Sequence, residues 1–233
     1  MDNVGTGRQS RIGETQLRRT AAQWLTCFGI VMAMAAAAAG MSARAQTAAT
    51  QAAPVESKPM TVAQAVAALK TGGYVVYFRH AATNFSQNDE KMRNFDDCAN
   101  QRNLTDAGRE QSRKIGAAWR ALGIPVGRVS ASPFCRTREV AQLAFGRYER
   151  AEEARGGPGT AGDPARYRPL ADLLATAPKR GTNDVIVSHG NPFQALHPGT
   201  SYLREGEAAI IRPLGNGNHE VVARIASDEW PAL

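Results

Sequence analysis

The sequence predicts an α/β fold, a three-layer α/β/α sandwich with a mostly parallel central sheet. Three observations carry that reading. Apolar runs of strand length alternate with stretches of helical periodicity. The leading run, Tyr74 to Phe78, is β-branched and aromatic without polar alternation, as suits a strand buried on both faces. Three predicted strands end in polar groups: Arg79-His80, then Ser132-Pro133 leading to Arg136, then Ser188-His189-Gly190.

The N-terminal 45 of the 233 residues read as a secretory signal peptide. Arg18-Arg19 precede an apolar stretch from Ala21 to Gly40, and Ala43-Arg44-Ala45 offers small residues for cleavage after Ala45. An uncleaved anchor is the alternative, since the stretch is nearly long enough to span a bilayer. Its Ala-rich composition is only mildly hydrophobic, which favours cleavage. The expected location is therefore periplasmic or secreted, with no stable membrane association after cleavage. Residues 46–59 read as a flexible lead-in and residues 60–233 as one domain with a core.

In chain order, Thr61 caps a short helix ending at Lys70, and Gly72-Gly73 lead into the first strand. A polar loop follows, Asn84 to Asn103, longer than a turn requires. Thr105 caps the next helix, with Ile115, Ala118, Trp119 and Leu122 as its apolar stripe. Val126 to Ala131 is the second strand, Arg136 to Phe145 a third helix, and Gly156 to Gly162 a breaker-rich loop. Leu170 to Leu174 is helical in pattern and Asp184 to Ser188 is a third apolar strand. Ala208 to Arg212 and Val221 to Ile225 are two more strands joined through Gly215-Asn216-Gly217-Asn218.

The chain holds 28 basic and 21 acidic residues; without the leader the balance is 23 against 19, or +4. That suits an anionic substrate. It lacks the clustered Lys/Arg with aromatics that nucleic acid wants, so no nucleic-acid partner is expected. Cys98 and Cys135 remain once Cys27 leaves with the leader. An even pair in an oxidising compartment predicts a disulfide, the alternative being two buried thiols. No Cys/His metal spacing is present and no cofactor is expected.

Parallel strands would bring Arg79, His80, Arg136 and His189 to one sheet edge. Guanidinium groups bind phosphate oxygens bidentately and stay charged. A helix N-terminus after His189, with Pro192 in its first turn, would add backbone donors. With no Gly-rich phosphate loop and no carboxylate cluster for Mg²⁺, the expected nucleophile is a side chain, and imidazole is a competent one.

Arg79-His80-Ala81-Ala82-Thr83 resembles the Arg-His-Gly-x-Thr signature of the histidine phosphatase superfamily, in its phosphoglycerate mutase-like branch. Leu104-Thr105-x-x-Gly108-x-x-Gln111, Ser132-Pro133-x-x-Arg136 and Val187-Ser188-His189-Gly190 match further motifs of that branch, in order. The resemblance implies a phosphoglycerate mutase-like fold and a phosphohistidine formed on His80. It implies that Arg79, Arg136 and His189 hold the phosphoryl oxygens, and it places Thr83 among the substrate contacts. Arg102 is either a further phosphate contact or a solvated loop residue. Ala81 departs from the usual glycine. The general acid falls on no motif: Asp163, Glu205 and Glu207 are the candidates, Glu207 is preferred among them, and a surface Glu at a strand start is its equal alternative reading.

The expected function is an exported, metal-independent phosphomonoesterase acting on a phosphorylated small molecule or envelope component. Two alternatives stand beside it. One is a non-catalytic periplasmic anion-binding protein. The other is a mutase-like phosphotransferase, disfavoured because phosphoglycerates are cytoplasmic.

Overall fold

The computed structural model describes residues 58–156 and 164–231. Residues 1–45, read above as a signal peptide, lie outside the described residues, as do most of the predicted lead-in and Asp163. Helix α1 (Val62–Thr71) leads into β1 (Val75–Arg79). Thr61 caps α1 in a reciprocal capping box with Gln64. Then come α2 (Asp106–Ala121), β2 (Val126–Ala131), α3 (Cys135–Phe145) and the two-residue strand β3 (Glu149–Arg150). The chain continues through α4 (Arg168–Ala175), β4 (Asn183–Ser188) and α5 (Gly190–Leu196). It closes with the hairpin β5 (Ala208–Gly215) and β6 (Asn218–Ile225). Asn216 and Gly217 both adopt positive φ, 53° and 76°, the turn that matches strand twist in a two-residue hairpin.

The strands form one sheet in the order β3-β2-β4-β1-β5-β6. β3, β2, β4 and β1 run parallel; β5 and β6 add an antiparallel flank. Alternation along β1 builds the three layers. Val76 and Phe78 join one core with Leu69 of α1, Trp119 of α2 and Val140 of α3. Val75 and Tyr77 join the other with Leu170 and Leu174 of α4 and Phe193 of α5. A strand buried on both faces has no polar side to show, which is why its sequence lacks alternation. β3 escaped the sequence reading because its two residues are charged and exposed.

Register decides what reaches the sheet edge. Arg79 pairs with Ser188 and Ala131 with Val187, so β1, β2 and β4 end level with one another. Behind that edge, the motif at the start of α2 clamps the backbone of Ala82. The Ala82 carbonyl accepts from Thr105 N (3.0 Å), and Ala82 N donates to Gln111 Oε1 (3.1 Å). A Cβ at Gly108 would run into the Ala82 carbonyl, so only glycine lets the helix approach this closely.

The long loop after β1 is tied to the start of α3 by a Cys98–Cys135 disulfide, with Cα atoms 5.7 Å apart. Gln101, buried beside it, accepts from Cys135 N (2.9 Å) and donates to Phe95 O (3.1 Å). Closing a loop of 37 residues removes chain entropy worth about 4 kcal/mol. The double substitution Cys98→Ala/Cys135→Ala should lower unfolding stability by up to that amount in urea titration. A variant as stable as wild type would mean that Gln101 and its neighbours hold the loop unaided.

Candidate active site

His80 leaves the end of β1 with its backbone fixed on both sides. His80 N donates to Ser188 O (3.0 Å), and His80 O accepts from Gly206 N (2.9 Å). The side chain is 2% exposed. Its Nδ1 lies 2.9 Å from Ala81 O. A carbonyl can only accept, so Nδ1 carries the proton and the lone pair is on Nε2. Burial, reinforced by the nearby Arg136 charge, lowers the His80 pKa to about 3. The imidazole is therefore neutral at physiological pH.

His189 comes from the end of β4. Its Nε2 is 2.8 Å from Ser132 Oγ, and its ring meets that of His80 edge-on at 5.5 Å between centroids. Burial first, then the Arg136 charge, holds its pKa well below the ordinary histidine value. The Tyr77 hydroxyl, inside the core, donates to His189 O (2.6 Å) and so positions this residue from beneath.

Three arginines surround the imidazoles. Arg79 donates to Leu203 O (2.7 Å) and lies over the Tyr202 ring. Arg136, at the start of α3, donates through Nη1 to Asp89 Oδ1 (3.1 Å) and Arg102 O (3.2 Å), its guanidinium over the Phe134 ring. Arg102 stacks on Phe85. The Nε–H groups of all three are buried and have no hydrogen-bond partner among the described residues. Such donors are costly to leave unpaired and are well suited to an anion. A cavity of about 490 Å³ opens among these groups, lined by His80, His189 and the three arginines, with Asp89, Tyr202 and Asn191 at its walls.

The structure thus brings together Arg79, His80, Arg136 and His189, and it places Arg102 at the wall of the same cavity. Two expectations need correction. Glu207 does not reach the site: its Oε1 accepts from Arg224 Nε (2.7 Å) and its Oε2 from Arg204 N (2.6 Å). Burial pushes its pKa up, but the bonds and charges of Arg224 and Arg204 together outweigh burial and lower it. Thr83 does not line the cavity either; its hydroxyl donates to Glu205 Oε1 (2.6 Å). Glu205 also lies 3.7 Å from Arg79 Nη2 and 3.8 Å from His80 Nδ1. It lies on the Nδ1 side of the His80 ring. Helix α5 does begin at His189, as its N-cap, with Gly190 and Pro192 buried. A Cβ at Gly190 would strike the Tyr202 ring. Asp89 and Tyr202 were missed by sequence reasoning. Each sits in irregular chain, where no periodicity or motif marks a residue as inward-facing.

No protein-family model and no curated protein matches the sequence. Solved structures do. A mutant phosphoserine phosphatase from Entamoeba histolytica, bound to phosphoserine, superposes with a TM-score of 0.50 at 12% identity, over 68% of this chain and 99% of its own. The protein histidine phosphatase SixA bound to tungstate gives 0.45 at 18%, over 66% and 97%. A mycobacterial glucosyl-3-phosphoglycerate phosphatase bound to inorganic phosphate gives 0.44 at 15%, over 60% and 89%. The first of these shows the fold alone, the phosphoglycerate mutase-like α/β sandwich that the sequence motifs implied.

Neutral buried imidazoles make stability depend on pH. Below about 6.5 the unfolded chain takes up protons that folded His80 refuses until about pH 3, so stability falls as pH drops through that window. At pH 5 His80 alone should cost about 2 kcal/mol relative to pH 7. Urea titrations at both pH values check this. The loss should be smaller in His80→Gln, and an equal loss would mean that His80 titrates normally in the fold.

Proposed function

We propose that this chain is an exported phosphomonoesterase that hydrolyses a phosphate ester through a phosphohistidine on His80. The observation that carries the proposal is the set of three buried, unpartnered arginine Nε–H donors around a neutral imidazole whose lone pair is on Nε2. A phosphoryl group bound there gains charge-assisted hydrogen bonds, and the guanidinium groups offset the charge that develops during transfer. The arginines do the work that Mg²⁺ does elsewhere, so the proposed reaction is metal-independent. With His189 Nε2 held by Ser132, its Nδ1 is the ring atom left for a phosphoryl oxygen.

The leader-like N-terminus and the Cys98–Cys135 disulfide support export to an oxidising compartment. The substrate is then a phosphorylated small molecule or an envelope component.

Quenching the protein with phosphate-labelled substrate in alkaline detergent should trap label that survives base and is lost on acidification, as a phosphorus–nitrogen bond is. His80→Ala should lose both the label and turnover. Label stable to acid, or turnover surviving in His80→Ala, would overturn the proposal. Phosphate binding with no turnover on any ester would instead mark an anion-binding protein.

A further inference from the structure

Of the three candidate carboxylates the sequence offers, Asp163 lies outside the described residues, and neither Glu205 nor Glu207 is placed to protonate a leaving group. Glu207 is committed to Arg224 and Arg204. Glu205 is bonded to Thr83 and sits near Nδ1 of His80, the ring nitrogen that does not attack. In an in-line displacement the leaving oxygen lies on the far side of phosphorus from the attacking Nε2. A group behind Nδ1 is therefore on the wrong side to protonate it. Among the described residues, Asp89 is the one carboxylate lining the cavity.

We infer that Asp89, from the loop after β1, is the general acid and base of the site. Asp89 Oδ1 accepts from Arg102 N (2.9 Å) and from Arg136 Nη1 (3.1 Å). Both bonds end on the same oxygen. A protonated carboxyl placed this way keeps Oδ1 as the accepting carbonyl and leaves Oδ2 to carry a proton and donate it. The side chain is 31% exposed, so water reaches it.

In the first step His80 Nε2 forms a bond to phosphorus as the ester P–O bond breaks. The Asp89 proton passes to the departing oxygen, which leaves as an alcohol. In the second step the Asp89 carboxylate takes a proton from a water whose oxygen attacks phosphorus. The P–N bond breaks, inorganic phosphate departs, and His80 is again neutral with Asp89 protonated. The disulfide then acquires a functional reading: it ties the loop that carries Asp89 to the helix that carries Arg136.

This inference rests on the phosphatase reading and fails separately from it. The test is Asp89→Asn against wild type on two esters, p-nitrophenyl phosphate and glycerol 2-phosphate. The aryl leaving group needs little protonation; the alkyl one needs it fully. Asp89→Asn should lower kcat/KM on the alkyl ester by about 10²–10⁴-fold and on the aryl ester by less than about tenfold. The ratio of the two is measured on one preparation, so partial misfolding of the variant cancels. Equal losses on both esters, or no loss on the alkyl ester, would overturn the role of Asp89 while leaving His80 as nucleophile. Turnover surviving in His80→Ala would overturn the phosphatase reading itself.

Discussion

Burying cations without matching anions is the constraint on which this structure depends. Arg79, Arg102 and Arg136 crowd two imidazoles that burial keeps neutral. Removing a guanidinium from water is costly, and it does not escape the cost by losing its proton. Partial compensation comes from the rim. Asp89 stands beside Arg136, Glu205 beside Arg79, and aromatic faces lie under all three arginines. What they leave unpaired is the set of Nε–H donors, and a phosphoryl group is the anion whose oxygens suit such donors.

The fold assembles this arrangement by level strand ends. Parallel pairing sets Arg79 beside Ser188 and Ala131 beside Val187, and the residues that follow β1 and β4, His80 and His189, line the cavity. Most of the supports are backbone contacts that side-chain substitution barely alters; the Gln111 side-chain amide is an exception. Ser188 O and Gly206 N grip His80, while Thr105 and Gln111 hold Ala82. Tyr77 shows how tightly core and site are joined: its ring packs against Phe193 and its hydroxyl fixes the carbonyl of His189.

The central strand and the four residues Arg79, His80, Arg136 and His189 were legible in the sequence because they lie at or near strand ends. An apolar run that stops at a polar pair states both the element and the edge. The disulfide was legible from the parity of its cysteines. The acid was not. Glu207 comes just before β5, and whether it turns to the site depends on how β5 pairs with β6. The observed register sets Ala209 opposite Arg224, and that brings Arg224 within reach of Glu207. Cross-strand register of this kind is not written in either strand alone. Asp89 was hidden for a different reason. Its loop is shaped by long-range ties, the Cys98–Cys135 bond and the Gln101 side chain, and none of them shows in local pattern.

The neutral, correctly protonated His80 ring is the central claim, and nitrogen NMR tests it most directly. The chain has four histidines, so single His→Gln variants assign each ring. The expected spectrum of His80 shows a protonated Nδ1 and an unprotonated Nε2, unchanged from neutral pH down to about pH 4. An imidazolium at neutral pH, or a proton found on Nε2, would contradict it.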